Sequence, residues 1–447
     1  MKNNTHTSGK KSKTSRRTFV KNTSLAAGGA ILLPNMHMNS MANVFNEKKL
    51  RIALVGCGGR GTGAAVQALN ADPNVELVAL ADAFEDKTRT SLTNIKQAIE
   101  NSEKINVKEE HLFSGFEAAK KAMDMADVVI LATPPGFRPE HFEYAVTNGK
   151  HVFMEKPLAT DVPGVRKVLA AAKKAKENKL SVVVGLQRRY QNNYLAAIDQ
   201  LEKGTLGKIV SGQVYWNSGG VWVKERQPEQ TELEYQMRNW YYFNWLCGDH
   251  ILEQHIHNID VANWFIGEYP VSAQGMGGRQ VRTGKEYGEI YDHHFVEFTY
   301  PSGAVVASQC RHQLDTMSRV SESFQGTKGT ITTEGFTTQI KDWEGNTVFK
   351  HREKEDPNPY EVEHVKLFEA IRSGAVLADA EHGAKSTMSA IMGRMATYSG
   401  KNISWDEAMA SNLELVPKNL NWDAPAPVLP NTDGSYNIPM PGKANVM

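Results

Sequence analysis

A glycine-rich turn directly after a short apolar segment constrains the fold of this chain more than any other feature. Residues 50–56 read Leu-Arg-Ile-Ala-Leu-Val-Gly, a run that is short, apolar and ended by glycine, as expected of a buried strand. A G-x-G-x-x-G pattern then opens a predicted helix and reads Gly56-Cys57-Gly58-Gly59-Arg60-Gly61. Such glycines permit a tight turn, the approach of a pyrophosphate to the backbone and close helix packing. The pattern predicts a dinucleotide site, although glycines alone could serve only a turn.

An acidic residue at the end of the second predicted strand supports this interpretation. Residues 75–81 form that strand, and Asp82 ends it about 20 residues after the glycine pattern, where a carboxylate can bind the adenosine ribose. The same negative charge repels a 2′-phosphate. Asp82 therefore predicts NAD, and not NADP, as the cofactor. An ordinary surface acid is the alternative.

The order of the predicted elements indicates the fold class. Strand and helix candidates alternate over residues 48–185, which favours an α/β Rossmann domain with a doubly wound parallel sheet. Over 186–410, longer strand candidates follow one another and predict a C-terminal α+β domain with an open, largely antiparallel sheet. Helices at 249–265 and 360–372 are expected beside this sheet. Residues 411–447, rich in proline and asparagine, are predicted to form an extended C-terminal arm.

The N-terminus has the layout of an export signal. Within residues 1–43 a basic stretch contains the paired arginines Arg16 and Arg17, and a weakly apolar run over 25–33 follows them. This order is typical of a twin-arginine signal, which carries folded proteins to the periplasm. The run is too short to span a membrane, and no cysteine follows it to carry a lipid anchor. A disordered basic tail is the alternative, but it leaves the apolar run unexplained.

The overall composition excludes several classes of partner. Of the 447 residues, 51 are basic and 50 are acidic, and the mature region has no basic run, so no binding to nucleic acid or anionic membranes is expected. The content of 40% hydrophobic and 23% charged residues is typical of a globular protein, whose partners we expect to be small molecules. The three cysteines lie far apart and indicate neither a zinc site nor a disulfide framework: Cys57, Cys247 and Cys310.

Two segments at the predicted carboxyl edge of the first sheet are candidates for the reacting end of the site. A Thr-Pro-Pro segment begins at Thr133, after the strand candidate 127–132, and could line the nicotinamide side of the cofactor. A Glu-Lys-Pro segment begins at Glu155, after the strand candidate 151–154. Its lysine, Lys156, could hydrogen-bond a substrate hydroxyl and stabilise a developing alkoxide. A plain loop and a surface salt bridge are the respective alternatives.

Taken together, these motifs resemble the Gfo/Idh/MocA oxidoreductases, the family of glucose–fructose oxidoreductase and inositol dehydrogenase. The resemblance covers about residues 49–400. It implies that Lys156 lies beside the substrate and the nicotinamide and is catalytic. It also implies further cofactor-binding residues along the carboxyl edge, namely Thr133, Pro134, Glu155 and Lys156.

A second family motif, Asp-x-Gly-x-His-x-x-Asp, is matched imperfectly by residues 253–260. Glu253 replaces the aspartate and His255 replaces the glycine, while His257 falls on the family's catalytic histidine and Asp260 on its downstream acid. The resemblance therefore implies catalytic roles for His257 and Glu253 beside Lys156. On a continuous helix Glu253 and His257 would share one face and could act as a coupled acid and base.

Polar side chains around this motif are predicted to contact the substrate. They are Asp249, His250 and His255, although each histidine could instead be structural. Together with Glu253 and His257 they also resemble a metal site. We predict no metal, because in the family that the chain resembles the cofactor carries the chemistry.

Three more residues are candidates for binding a sugar. Arg188 and Tyr190 follow the strand candidate 180–185 and could donate hydrogen bonds to sugar hydroxyls, or form salt bridges between domains. Trp222 belongs to an aromatic-rich stretch over 216–245 and could stack on a pyranose ring, or pack in a core.

The resemblance implies hydride transfer between a tightly bound NAD and a secondary alcohol of a sugar, glycoside or polyol, with His257 or Lys156 removing the hydroxyl proton. The alternative is an NAD-dependent glycosidase, α-N-acetylgalactosaminidase-like, which oxidises, eliminates, hydrates and reduces without net redox change. The Tyr-Pro-Thr-His segment usual in those glycosidases is missing at 253–257. A scaffold that holds the cofactor without turnover is a third alternative. A homo-oligomer, dimer or tetramer, is also expected from the resemblance.

Overall fold

The computed structural model describes residues 48–353 and 355–447. The predicted twin-arginine signal over 1–43 lies outside the described residues. Residues 49–447 form one compact unit. Among the described residues, no helix has both the length and the apolar character that crossing a membrane requires.

Six strands, all paired in parallel, form the first sheet: β1 (Leu50–Val55), β2 (Val75–Asp82), β3 (Leu112–Ser114), β4 (Val128–Leu131), β5 (His151–Met154) and β6 (Val182–Val184). Their order is β3-β2-β1-β4-β5-β6. This is the strand order of the Rossmann fold, and the direction of winding reverses between β1 and β4. The predicted doubly wound parallel sheet is confirmed.

This sheet is buried on both faces. In β1, Ile52 and Leu54 pack in one apolar core, while Ala53 and Val55 pack in another, because successive side chains of a strand point to opposite faces. The helices along this part of the chain are α1 (Gly59–Ala71), α2 (Glu85–Ala98), α3 (Ala118–Asp124), α4 (Arg138–Thr147) and α5 (Val162–Glu177).

Nine strands form the second sheet: β7 (Ile209–Ser218), β8 (Ser272–Gly278), β9 (His293–Thr299), β10 (Val305–His312), β11 (Arg319–Gly326), β12 (Gly329–Glu334), β13 (Thr337–Asp342), β14 (Thr347–His351) and β15 (Ile403–Ser404). Their order is β14-β13-β12-β11-β7-β10-β9-β8-β15. Only the β7–β10 pair is parallel within this sheet. The predicted open, largely antiparallel sheet is therefore also confirmed.

The helices beyond β6 are α6 (Asn192–Glu202), α7 (Glu232–Arg238), α8 (Asn244–Cys247), α9 (His250–Glu253), α10 (Ile256–Ile266), α11 (Pro359–Ser373), α12 (Ala380–Ser399) and α13 (Trp405–Met409). Short 3₁₀ helices occur at Ser102–Lys104, Glu109–His111, Pro135–Phe137, Gln187–Tyr190, Trp240–Tyr242 and Lys285–Tyr287.

The single helix predicted over 249–265 is wrong. Gly248 is left-handed with φ 74°, Asp249 also has a positive φ of 79°, and α9 ends at Glu253 before α10 begins at Ile256. The imidazole of His255, between the two helices, turns into the interior and lies 2.7 Å from Ser308 Oγ. The argument that Glu253 and His257 share one helical face therefore does not hold.

Helix α12 joins the two sheets. Its Gly383 lies close to Val184 of β6 and to Leu158, which follows β5 in the first domain. Its Gly393 lies close to Phe298 of β9 in the second sheet. Sequence reasoning missed this helix because nearly all of its residues are buried, so it has no polar face to produce a helical period.

The predicted boundary at residue 185 does not separate two independent cores. Leu367 and Phe368 of α11 pack in the same core as Ile52 of β1. Residues 411–447 contain no helix or strand, and Ala426 and Tyr436 pack against the aromatic residues around α8.

Candidate functional site

The glycine turn between β1 and α1 has the shape that a bound pyrophosphate needs. A Cβ at Gly61 would lie 1.9 Å from the carbonyl oxygen of Gly56, and Gly56 itself has φ 98°, so both positions require glycine. A Cβ at Gly58 or Gly59 would instead meet nothing within 4 Å. Gly58 is the N-cap of α1 and offers no side-chain cap, which leaves the amides of the first turn available for phosphate. The residues present therefore fit a dinucleotide.

Asp82 ends β2 beside this turn. Its Oδ2 accepts a hydrogen bond from the Cys57 amide at 2.7 Å, and its Oδ1 accepts one from the Phe84 amide at 3.1 Å. Burial raises the pKa of Asp82, while these two amides oppose the shift. Each carboxylate oxygen can accept more than one hydrogen bond, so the position remains suitable for a ribose.

Arg60 holds Glu155 in place. The Arg60 guanidinium pairs with Glu155 and also lies 3.3 Å from Glu363 Oε1, a fully buried carboxyl on α11. Burial alone would raise the pKa of Glu155, but the charges of Arg60 and Lys156 lower it below its usual value. For Glu363, burial and the charge of Glu155 raise the pKa well above the usual range. Since its guanidinium is committed to these carboxyls, Arg60 can reach a cofactor mainly through its backbone.

The Thr-Pro-Pro segment follows β4 at the carboxyl edge of the sheet, with Ala132 between the end of the strand and Thr133. The hydroxyl of Thr133 lies 3.2 Å from His141 Nδ1, and Pro134 leads into a 3₁₀ helix. The buried guanidinium of Arg138 donates to the carbonyl oxygens of both Thr133 and Pro157. Arg138 therefore links the two segments that sequence reasoning had assigned to the reacting end.

Lys156 and Glu253 meet at this edge. The Lys156 ammonium donates to the carbonyl oxygen of Glu253 at 2.5 Å and lies 3.7 Å from Glu253 Oε2. Burial raises the pKa of Glu253, while the charges of Lys156 and Arg138 oppose the shift. Glu253 Oε1 is buried and has no hydrogen-bond partner among the described residues. The structure thus brings together two of the three predicted catalytic side chains.

His257, the third, lies in the first turn of α10 against Trp216 of β7, with ring centroids 5.8 Å apart. Its Nδ1 is buried and has no hydrogen-bond partner within the described part of the chain. Burial lowers the pKa of His257 well below its usual value, and the charges of Lys156 and Arg188 lower it further. His257 is therefore a neutral imidazole at neutral pH.

Three residues predicted to contact the substrate are buried inside the protein. Asp249, His250 and His255 are 0% exposed, so they offer no surface to a ligand. His255 contacts Ser308 in β10, and Asp249 accepts hydrogen bonds from the Tyr398 hydroxyl and the Tyr291 amide. Only His255 lies at the break between α9 and α10, whereas Asp249 is the N-cap of α9 and His250 is its first residue.

Arg188 and Tyr190 are engaged within the protein. The Arg188 guanidinium forms a buried ion pair with Glu322 of β11, which corresponds to the predicted alternative of a salt bridge between domains. The Tyr190 hydroxyl donates to Asp379 Oδ2 at 2.5 Å. Burial raises the pKa of Tyr190, and the charge of Asp379 adds to the shift. Neither side chain is placed as a free donor for a sugar.

The aromatic-rich stretch divides into core and surface. Tyr242 and Trp245 are buried, whereas Trp222 is 39% exposed and contacts Trp240 and Tyr241 edge-on or tilted. Tyr241 lies near Glu253, whose charge contributes to a raised Tyr241 pKa after the larger effect of burial. Trp222 remains the exposed aromatic surface available for a ring of the substrate.

Sequence reasoning missed several residues that position the site. Arg394 of α12 donates to the carbonyl oxygens of Gly248 and Thr160, at 3.0 and 2.8 Å, and so connects the segment after Lys156 to the start of α9. Arg138 connects the segments at Thr133 and Pro157, and Glu363 pairs with Arg60. None of them lies in a motif, so only a contact map could have identified them.

The carboxyl edge of the first sheet therefore combines a phosphate-binding turn with an ammonium group and a carboxyl group, and the neutral imidazole of His257 lies near enough for the charge of Lys156 to act on it. A neutral imidazole can accept a proton, and an ammonium group can stabilise a developing alkoxide. This set of groups suits oxidation of an alcohol at a bound dinucleotide.

Two family models match this chain. Residues 50–184 match the model described as "Oxidoreductase family, NAD-binding Rossmann fold", and residues 194–332 match "GFO/IDH/MocA C-terminal domain". The two matched regions correspond to the first sheet and to most of the second.

Curated relatives include inositol 2-dehydrogenase of Rhizobium meliloti (strain 1021), 26% identical over 289 residues, which span 64% of this chain and 76% of that protein. A glycosyl hydrolase family 109 protein of Streptomyces niveus is 26% identical over 186 residues, which span 41% of this chain and only 36% of that protein.

Solved structures share the fold. Aldose-aldose oxidoreductase from Caulobacter crescentus, complexed with glycerol, has a TM-score of 0.62 and 20% identity, covering 80% of this chain and 100% of that one. Scyllo-inositol dehydrogenase from Lactobacillus casei, with bound NAD(H) and scyllo-inositol, has a TM-score of 0.59 and 19% identity, covering 80% and 100%.

Proposed function

Because this chain belongs to the Gfo/Idh/MocA family of oxidoreductases, whose first domain binds NAD, we propose that it transfers hydride between a tightly bound NAD and a secondary alcohol of a sugar, glycoside or polyol. The observation that carries the proposal is the contact of Lys156 with Glu253 at the carboxyl edge of the sheet. Since β1 and β5 are parallel members of one sheet, that edge also carries the glycine turn.

In this proposal, different groups of the chain bind different parts of the dinucleotide. The amides that begin α1 bind the pyrophosphate, Asp82 accepts hydrogen bonds from the ribose, and the segments at Thr133 and Glu155 border the nicotinamide side. When bound, NAD supplies the hydride acceptor. The negative charge of Asp82 favours NAD over NADP.

Lys156 and His257 have different tasks in this proposal. The Lys156 ammonium donates a hydrogen bond to the reacting hydroxyl and stabilises the alkoxide that develops as hydride leaves the carbon. His257 accepts the hydroxyl proton at Nε2 in this proposal, because Nδ1 is buried. Glu253 holds the ammonium in position through its carbonyl oxygen and its carboxyl group.

The similarity to glycosyl hydrolase family 109 proteins favours one second candidate. A redox-neutral glycosidase would use the same groups for a transient oxidation, followed by loss of the aglycone, addition of water and reduction. Inositol 2-dehydrogenase matches a larger share of this chain than the glycosidase relative does, 64% against 41%, and the first candidate is therefore preferred.

Purified protein incubated with inositols, aldoses and aryl glycosides distinguishes these candidates. Growth of the reduced-nicotinamide absorbance is expected for a dehydrogenase. Release of aglycone without net reduction would indicate the glycosidase, and neither signal with any compound would indicate a scaffold that only holds NAD.

Substitution of the two proposed catalytic residues tests the assignment. We expect Lys156→Ala and His257→Ala to lower turnover by about 10²–10⁴-fold while NAD stays bound, because each removes a proton-transfer or charge-stabilising group. His351→Ala is a matched control. His351 lies at the end of the edge strand β14 and pairs with Asp356, so its substitution should leave turnover unchanged. Normal rates in both active-site variants would remove the assignment.

We also propose a periplasmic location, from the paired arginines Arg16 and Arg17 before an apolar run. Residues 1–48 fused to a folded reporter should direct its export. Lysine at both positions should abolish that export, and export without change would contradict the proposal.

A homo-oligomer, dimer or tetramer, is proposed from the family resemblance. Light scattering of the purified protein measures its mass, and a monomer at micromolar concentration would contradict this proposal.

A further inference from the structure

A buried polar cluster lies between the start of α9 and the second sheet. Asp249, His250 and His294 each offer one potential ligand atom, and these atoms lie within 4.8 Å of one another. All three residues are buried, at 0%, 0% and 3% exposure. The proposed hydride transfer uses none of them.

The imidazole of His250 has no hydrogen-bond partner for either ring nitrogen among the described residues. A buried imidazole must carry a proton on one nitrogen and a lone pair on the other, and leaving both unpartnered destabilises the folded state. His312 stacks on His250 with ring centroids 4.3 Å apart, and both of its ring nitrogens also lack partners within the described chain. With His294 Nε2, which also lacks a partner, five buried ring nitrogens in and beside the cluster have no hydrogen bond among the described residues.

The distances suit a metal better than a hydrogen bond. His294 Nε2 lies 3.2 Å from Asp249 Oδ1 without the alignment of a hydrogen bond, and His250 Nε2 lies 3.9 Å from the same oxygen. Ligands bound tetrahedrally at the usual zinc distance lie about 3.3 Å apart. Small side-chain rotations would therefore bring these atoms into coordination.

A second layer of hydrogen bonds already orients the proposed ligands. His294 Nδ1 lies 3.0 Å from Thr397 Oγ1, which directs Nε2 toward Asp249. Asp249 Oδ2 accepts hydrogen bonds from the Tyr398 hydroxyl at 2.5 Å and the Tyr291 amide at 3.0 Å. Oδ1, which accepts one from the His250 amide at 2.5 Å, faces the cluster. Outer hydrogen bonds of this kind are typical of metal-binding histidines and carboxylates.

Contrary to the absence of a metal predicted from the sequence, we propose that Asp249, His250 and His294 bind one divalent transition-metal ion, with Zn²⁺ as the expected ion. Two imidazoles and one carboxylate favour zinc over calcium or magnesium, which prefer oxygen ligands. The ion connects the beginning of α9 to β9 and, through the outer hydrogen bonds, to α12. It thereby fixes the short helix that ends at Glu253.

Metal analysis of the full chain, purified without a histidine tag, tests this proposal. Elemental mass spectrometry should find one zinc ion per chain. Protein expressed in medium that contains Co²⁺ instead of Zn²⁺ should show the visible d–d absorption typical of a tetrahedral site. A chain with less than a tenth of an equivalent of metal, both as purified and after refolding with Zn²⁺ or Co²⁺, would overturn the proposal.

Variants locate the ion and separate this site from the catalytic one. His250→Gln with His294→Gln should lose the metal, while Glu253→Gln and His351→Ala should keep it. Each protein is checked for folding by circular dichroism and for NAD binding, so failure of the metal site and failure of the proposed reaction give different results. If the double variant does not fold, the Co²⁺ spectrum of the single variant His250→Gln is compared with that of the wild type. We expect its absorption bands to change in intensity and position. An unchanged spectrum, or loss of metal from Glu253→Gln alone, would contradict the assignment.

Discussion

At the scale of single residues, burial and neighbouring charge shift the pKa values of two proposed catalytic groups in opposite directions. Burial, and then the charges of Lys156 and Arg188, lower the pKa of His257 well below its usual value. Burial raises the pKa of Glu253 instead. The lowered pKa keeps His257 unprotonated at neutral pH and so able to accept a proton in the proposed reaction, and the contact with Lys156 is the reason that Glu253 is proposed to position that ammonium.

The pH dependence of kcat/KM tests this division. A base must be unprotonated to act, so a lowered pKa keeps His257 active to lower pH. We expect the acid limb of the profile to lie below about pH 6.5, the usual value for histidine. The measurement uses saturating NAD, with circular dichroism to confirm the folded state at each pH. An acid limb at or above that value would contradict the account.

Residue positions could be predicted where a motif fixes the backbone. Gly56 and Asp82 lie at the ends of strands whose apolar runs are clear, and Lys156 follows β5 directly. Asp249 and His250 could not be placed, because their prediction assumed a continuous helix. The positive φ of Asp249 and the ends of α9 and α10 depend on tertiary contacts that sequence periodicity does not report.

At the scale of elements, the junction of β1 and α1 gives a test with an internal control. Gly61→Ala places a Cβ 1.9 Å from the Gly56 carbonyl oxygen, so the helix must move away from the strand. We expect a lower Tm and weaker NAD binding, from overpacking worth about 1–3 kcal/mol. Gly63→Ala, two residues further along α1, meets only the Arg60 Nη1 at 3.8 Å and should be neutral or stabilising by up to about 1 kcal/mol. Equal effects of the two substitutions would contradict the proposed packing.

The elements that sequence predicted are those with a distinct pattern. Strands β1, β2, β4 and β5 are short apolar runs, and β7 to β11 alternate as expected of strands with one buried face. Strands β12 to β14 were missed because β12 and β13 each contain a single apolar residue and β14 contains two adjacent ones, so no alternation of apolar residues is visible. β3 has only three residues, and α12 is buried on all sides.

At the scale of the whole molecule, a buried ion pair connects the end of the first sheet to the second. Arg188 pairs with Glu322, and Glu322 also accepts hydrogen bonds from Tyr194 and Asn258. Arg188→Met leaves the carboxylate buried without its partner. We expect urea denaturation to show a loss of about 3–5 kcal/mol in the free energy of unfolding.

An exposed pair provides the control for this measurement. Lys203 and Asp199 are 62% and 54% exposed at their side chains, so Lys203→Met should change the free energy of unfolding by less than about 1 kcal/mol. A similar small effect of Arg188→Met would show that the pair does not hold the two sheets together.

The most direct test of the account is calorimetric titration of nucleotide-free protein with NAD, comparing the wild type with Gly58→Val. Because a Cβ at Gly58 meets nothing within 4 Å, we expect the variant to fold and its side chain to occupy the space that the pyrophosphate needs. The account predicts that the folded wild type binds one NAD per chain and that folded Gly58→Val binds none. A folded wild type that binds neither NAD nor NADP in either redox state, or a Gly58→Val variant that binds NAD as tightly, would contradict it.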